Sequence, residues 1–273
     1  MVTGIIDVCD FWTMRHSMPQ LTNIDISGVT IAEYIEEDEW GSYRRIYHVN
    51  SIPQDVYSGC TGLTSIDFPA SLTSIGAAFG GTGITAFSVD EANIEYSSLD
   101  GVLYNKNKTS LKLYPPAKEG AEFIVPETVI AIGGYSFSGC SQLTSIKLPE
   151  SVTIIGQYAF AKCTGLQTIE LPASVTTIWE YAFSECIALK IIELPAAITT
   201  LSAGAFYNCS ELVEIYNYNP TPIEFFEINW TGFLFLLRVY FMCLKGRKSS
   251  MKNLLYGDII DLPKWNLNSA LPH

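Results

Sequence analysis

Basic residues are scarce in this chain: 16 Lys and Arg stand against 28 Asp and Glu, a formal charge of −12 at pH 7. Phosphate binding needs a positive face, so nucleic acid is not an expected partner. Histidine is scarcer still. His16, His48 and His273 are scattered and no Cys-x-x-Cys pair occurs, which removes the usual ligands of a zinc site and the usual activator of a nucleophile. The fingerprints G-x-S-x-G, H-E-x-x-H, the P-loop and the dinucleotide loop are all missing. No run of about 18 residues is apolar enough to span a bilayer, so no membrane insertion is expected. The densest run, Phe233 to Met242, contains Arg238 and reads as a buried terminal strand pair. Met1 to Phe11 carries Asp7 and Asp10 and lacks the basic start and apolar block of a signal peptide. The acidic run at 36–40 has neither the glycine turn nor the alternating ligands of a calcium loop and reads as solvated surface. The expectation is a protein that is not an enzyme, with no cofactor, no metal and no catalytic residue.

What the chain does have is one sentence of 23 residues written three times. It runs LTSIKLPESVTIIGQYAFAKCTG from Leu143, LQTIELPASVTTIWEYAFSECIA from Leu166 and LKIIELPAAITTLSAGAFYNCSE from Leu189. Pro149, Pro172 and Pro195 share that spacing, as do Phe160, Phe183 and Phe206, and Cys140, Cys163, Cys186 and Cys209. A fixed period with Leu-x-x-Ile-x-Leu at its head is the signature of a leucine-rich-repeat solenoid, whose units bury their faces only against their neighbours.

Each position has a physical job. In L-x-x-I-x-L the apolar residues end at period two, which predicts a short strand with one buried face. Proline then stops the ladder, because it lacks the amide donor. The alternating V-T-x-I that follows predicts a second short strand on the opposite wall. The coil is expected to return through Y-A-F-x-x-C as a helical turn, with the Ala packed closely and the Phe filling the middle. Cys60 precedes Leu63 as the four periodic cysteines precede their leucines, so a stack of five is expected. Free buried thiols are the favoured state over bridges or zinc, since the total of seven is odd and stacked side chains point in parallel.

The run from Leu148 to Leu166, LPxSVTxIGxxAFxxCxxL, resembles the BspA-like leucine-rich repeats, also called the treponemal type. The resemblance is specific over 60–80 and 123–216 and looser elsewhere. Ser151, Ser174 and Ala197 stand where the general leucine-rich pattern places a ladder of Asn or Cys. The fold this implies is an α/β solenoid: a superhelix with a parallel β-sheet on its concave face, short second strands, helical turns and a β-hairpin insertion. The resemblance further implies export, display at the cell surface and adhesion to host or matrix proteins or to other cells. On that expectation the chain is a mature extracellular segment whose signal has been removed.

In order, residues 1–59 read as an irregular start to a single domain spanning 1–273. Leu21, Ile24 and Ile26 make a first rung, and 33–47 a loop. Repeats occupy 60–89, where Gly80 to Gly83 replaces the cysteine segment. A hairpin island follows over 90–122, with Asp100-Gly101 as a turn signal. Regular repeats fill 123–216 and a cap closes 217–273, with a helical candidate at 249–256 and a basic patch of Lys245, Arg247, Lys248 and Lys252.

The residues flanking the buried Ile of each strand point outward. They predict two rows: Ser65, Ser145, Thr168, Ile191 and Glu214 beside Asp67, Lys147, Glu170, Glu193 and Tyr216. The expected partner is a protein ligand, bound by a monomer on this face. The rival is a carbohydrate-binding or purely structural module. A sugar site would need clustered exposed aromatics, and the strand faces show only Tyr216.

Overall fold

The computed structural model describes residues 2–18, 20–38 and 42–219, together with the backbone of two strands at 238–243 and 247–250. The repeats wind into a β-solenoid of about nine coils. The L-x-x-I-x-L segments build one wall. Glu122–Ile124, Ser145–Lys147 and Thr168–Glu170 pair in parallel, each residue opposite the one 23 positions on. Ile191–Leu194 pairs likewise with Glu214–Asn217, which pairs in turn with Arg238–Cys243. Nearer the start, Asn23–Asp25, Ser65–Phe68 and Ala86–Val89 form the same kind of sheet. The pleat turns Ile146, Ile169, Ile192 and Ile215 into the core. The V-T-x-I segments make a second wall of two-residue strands, Ala131–Ile132, Ile154–Ile155, Thr177–Ile178 and Thr200–Leu201.

Small polar side chains tie each coil to the one before it. The hydroxyls of Thr153, Thr176 and Thr199 donate to the carbonyls of Ile130, Thr153 and Thr176 at 3.3, 3.2 and 3.1 Å. Those of Ser151 and Ser174 donate to Val129 and Val152, both at 2.6 Å. The departure from the general pattern at these serines is therefore a ladder of another residue type.

The thiols do the same in the core. Cys163, Cys186 and Cys209 donate to the carbonyls of Phe137, Phe160 and Phe183 at 3.0, 3.1 and 3.0 Å. A cysteine satisfies a buried carbonyl while packing as a small hydrophobe. All six described cysteines are unbridged, and the four periodic ones are buried. Burial pushes the Cys163 and Cys186 thiols well above their ordinary value and Cys209 to about 12. A thiol held protonated is a poor nucleophile. A thiol reagent should therefore label Cys9 and Cys60 in the folded protein, and reach Cys140, Cys163, Cys186 and Cys209 only after denaturation; labelling of those four under native conditions would contradict the ladder. Cys60 does not extend it. It is half-buried, and on the next coil Thr82 makes the equivalent turn bond to Phe79.

One wall differs from expectation. The Y-A-F-x-x-C segments make turns, and no helix forms among the described residues of the repeats. Tyr135, Tyr158 and Tyr181 take positive φ of 58, 54 and 56°, and Lys162, Glu185 and Asn208 take 60, 59 and 57°. Such residues break a right-handed helix twice per coil. Their neighbouring amides bond to the next coil instead, as Tyr158 to Glu180, Phe160 to Ala182 and Lys162 to Ser184. The architecture is therefore a β-solenoid and not an α/β one.

The described helix is at the other end. Val8–Ser17 starts from a capping box in which the Asp7 side chain accepts from the Cys9 amide and that of Asp10 from the Asp7 amide. It sets Phe11 edge-on to Tyr57, with centroids 6.0 Å apart, and so covers the first coils. The expected loop at 33–47 contains an antiparallel pair, Tyr34–Glu37 with Arg44–Tyr47.

At 96–113 three strands, Tyr96–Leu99, Val102–Asn105 and Ser110–Leu113, run antiparallel. Asp100 and Gly101 join the first two, both at positive φ, the backbone of a type I′ turn. Alternation along the middle strand sends Val102 and Tyr104 into the core of the later coils and Leu103 into that of the earlier ones. At the far end Arg238–Cys243 pairs antiparallel with Arg247–Ser250. The helical candidate at 249–256 thus begins on a strand, and its remainder lies outside the described residues. So do the side chains of Arg238, Arg247 and Lys248, and Lys245 and Lys252 altogether.

Candidate binding surfaces

The pleat that buries the isoleucines displays their flanks. Ser145 lies opposite Thr168 and Lys147 opposite Glu170; Ile191 lies opposite Glu214 and Glu193 opposite Tyr216. Lys147, Thr168, Glu170, Ile191 and Glu193 are exposed, whereas Ser65, Asp67, Ser145, Glu214 and Tyr216 are half-buried. Two tyrosines orient the carboxylates: Tyr216 donates to Glu214 at 2.5 Å and Tyr218 to Glu193 at 3.2 Å.

The ten residues do not form one sheet. Ser65 and Asp67 belong to the sheet before the antiparallel strands, Ser145 to Glu170 to a second, and Ile191 to Tyr216 to a third. The earliest group is larger than the two predicted rows. Asn23 and Asp25 lie opposite Ser65 and Asp67, and Ser88 follows Asp67; the Ser65 hydroxyl donates to Asn23 at 2.8 Å. Asp25, Asp67, Ser88, Asp90, Glu91 and Lys106 line a cavity of about 760 Å³. Hydrogen bonds from the Ser27 hydroxyl and amide hold the Asp25 carboxyl below its usual value. Asn23 and Asp25 flank Ile24 within the first rung, so their place was readable from the same rule. Among the described residues no group of three His, Cys, Asp or Glu is placed to hold a metal ion.

A second displayed row lies on the turn wall. Tyr135 stacks on Tyr158 at 4.8 Å and 16°, and Tyr158 on Tyr181 at 5.0 Å and 8°. All three rings are half-buried. On the next coil Gly204, at φ 66°, occupies the same place, and a Cβ there would overlap the Tyr181 ring. The 23-residue spacing of these tyrosines was visible in the repeats. Their exposure was not, since it depends on the turn geometry.

Six copies of the model for the BspA type leucine rich repeat region match residues 44–113 and 118–225. The chain belongs to the BspA-type leucine-rich-repeat family. Two solved structures share the solenoid. The BspA-type chain is 24% identical to the pneumococcal vaccine antigen PcpA, with a TM-score of 0.56 over 72% of this chain and 51% of that one. It is 29% identical to a leucine rich cell surface protein from Faecalibacterium prausnitzii A2-165, with a TM-score of 0.57 over 75% of this chain and 55% of that one. It thus spans about half the length of either. No curated protein matches it.

Proposed function

We propose that this BspA-type chain is a non-catalytic recognition module displayed at the cell surface, which as a monomer binds a protein ligand through the strand wall. The observation that supports this most is the register of Ile191 and Glu193 opposite Glu214 and Tyr216, with both carboxylates held by tyrosine hydroxyls and the exposed Glu170 on the sheet before them. Side chains already ordered in the free protein lose little entropy on binding. A surface location accords with the name of the F. prausnitzii protein, and among the described residues no helix is long and apolar enough to cross a membrane. The ligand this face suits is a basic surface of a host or matrix protein, since opposite charges steer encounter and fix register.

The test is a binding screen against a panel of purified extracellular-matrix proteins. Binding of a basic member is expected, with association slowed by salt. The pair Glu170→Lys and Glu193→Lys should cut the association rate about tenfold. A folded variant that binds unchanged would move the site off this wall.

A further inference from the structure

We propose that a notch on the turn wall, beside Tyr135, is a sugar-binding site that holds one pyranose ring of a glycan. The tyrosines of that wall stand two residues before the core aromatic of their coils: Tyr135 before Phe137, Tyr158 before Phe160, Tyr181 before Phe183. Towards the N-terminus the same place is held by Asp55, two before Tyr57 and at the same left-handed φ of 59°. The Phe79 coil omits it: Ile75 to Phe79 advances four residues, and the Ala77 carbonyl accepts from the Asp55 amide as the Gln157 carbonyl accepts from that of Tyr135. The coil between Phe79 and Phe137 omits the outer turn. Leu111 to Tyr114 advances three residues where Ile132 to Phe137 advances five, although Leu111 and Ile132 are strand partners and Tyr114 stacks on Phe137 at 5.2 Å.

The row of rings therefore has an empty place between Asp55 and Tyr135. It is a cavity of about 510 Å³, within the range of about 300–1,000 Å³ usual for small-ligand sites. Leu113, Tyr114 and Pro116 are part of its apolar lining, and Asp55, Tyr135 and Tyr158 border it. The ring contact made by Tyr135 is with Tyr158. A ligand ring stacked on its other side at a similar separation would continue the row.

The polar groups favour a hydroxyl-rich ring over an apolar one. Ser58, Ser138 and Ser141 line the cavity, and a hydroxyl both donates and accepts, as sugar hydroxyls do. The Asp55 carboxylate accepts from Ser58 at 3.0 Å through one oxygen, which leaves it capacity for a ligand hydroxyl. Lys162 also lines the cavity, paired with Glu185 at 3.9 Å, while Arg15 donates to the main-chain carbonyls of Asp55 and Ser58. A wholly apolar ligand would strip water from Asp55 with nothing in exchange.

The test is an array of neutral and acidic oligosaccharides, followed by calorimetric titration of each glycan that binds. At least one is expected to bind. Tyr135→Ala should then weaken it about tenfold or more. Ala77→Tyr, which puts a ring into the cavity from a half-buried lining position, should abolish binding while circular dichroism and the urea midpoint stay those of the parent. The Glu170→Lys, Glu193→Lys pair should leave sugar binding intact, which separates this site from the strand wall. An array without a binder, a bound glycan indifferent to both notch variants, or an arginine-rich peptide held in the notch in place of any sugar would overturn the proposal.

Discussion

Phe183→Ala is expected to lower the unfolding free energy by about 3–5 kcal/mol, seen as a fall in the urea midpoint at unchanged m value. Phe183 is fully buried between two like rings, Phe160 at 5.0 Å and 11° and Phe206 at 5.6 Å and 16°. Truncation removes the transfer energy of the ring, leaves a cavity, and forfeits two stacking contacts of roughly 0.5–1.5 kcal/mol each. The neighbouring coils are held in place through hydrogen bonds along the axis, so they cannot close over the void. Because a solenoid is stable only through contacts between adjacent units, the loss falls at both interfaces of that coil. Phe206→Ala should cost less, since that ring is 5% exposed. A Phe183→Ala penalty below about 1 kcal/mol would mean that the core relaxes in a way the stacked rings forbid.

Raising the pH above about 9 is expected to destabilise the protein steeply. An unfolded thiol titrates near its ordinary value of 9.0, whereas burial holds Cys140, Cys163, Cys186 and Cys209 protonated to much higher pH in the fold, Cys209 to about 12. The sign follows from proton counting. Below pH 9 both states keep these protons, and the thiols add no pH dependence. Between 9 and the folded values the unfolded chain binds fewer protons, so stability falls as pH rises. Each thiol contributes about 1.4 kcal/mol per pH unit once its unfolded form is fully ionised, so four together contribute about 5.5. Tyr104 and Tyr114, also pushed up by burial to about 12, add to the slope from about pH 10. Urea titrations at successive pH values measure it, and Cys163→Ala should reduce it by about one thiol's share. Stability that stays level between pH 8 and 11 would show that the ladder thiols are not held protonated.

The periodic part of this protein was legible because a repeat makes sequence position and spatial position the same coordinate. Once Pro149, Pro172 and Pro195 set the period, Phe160, Phe183 and Phe206 had to stack and the buried cysteines had to follow one another. The outward flanks of each strand followed from the same rule, since a strand that buries its isoleucine displays its neighbours. Asn23 and Asp25 obey it even in a rung that departs from the consensus.

Tertiary structure decided where amides find partners and where the period breaks. Y-A-F-x-x-C is compatible with a helical turn, because Ala and Phe at that spacing satisfy one. It became a pair of left-handed turns because the amides of Tyr158 and Phe160 bond to the adjacent coil, and no local propensity reports on a neighbour 23 residues away. The split of the strand wall into three sheets and the notch beside Tyr135 have the same origin. Their residues are ordinary in sequence, and only the stacking of short coils against full ones shows that a side chain is missing from the row. Repetition thus specifies the regular coils by itself, because every unit buries the same face. The notch proposed to hold a sugar lies where units are unlike, and there the length of the neighbouring coil determines what is exposed.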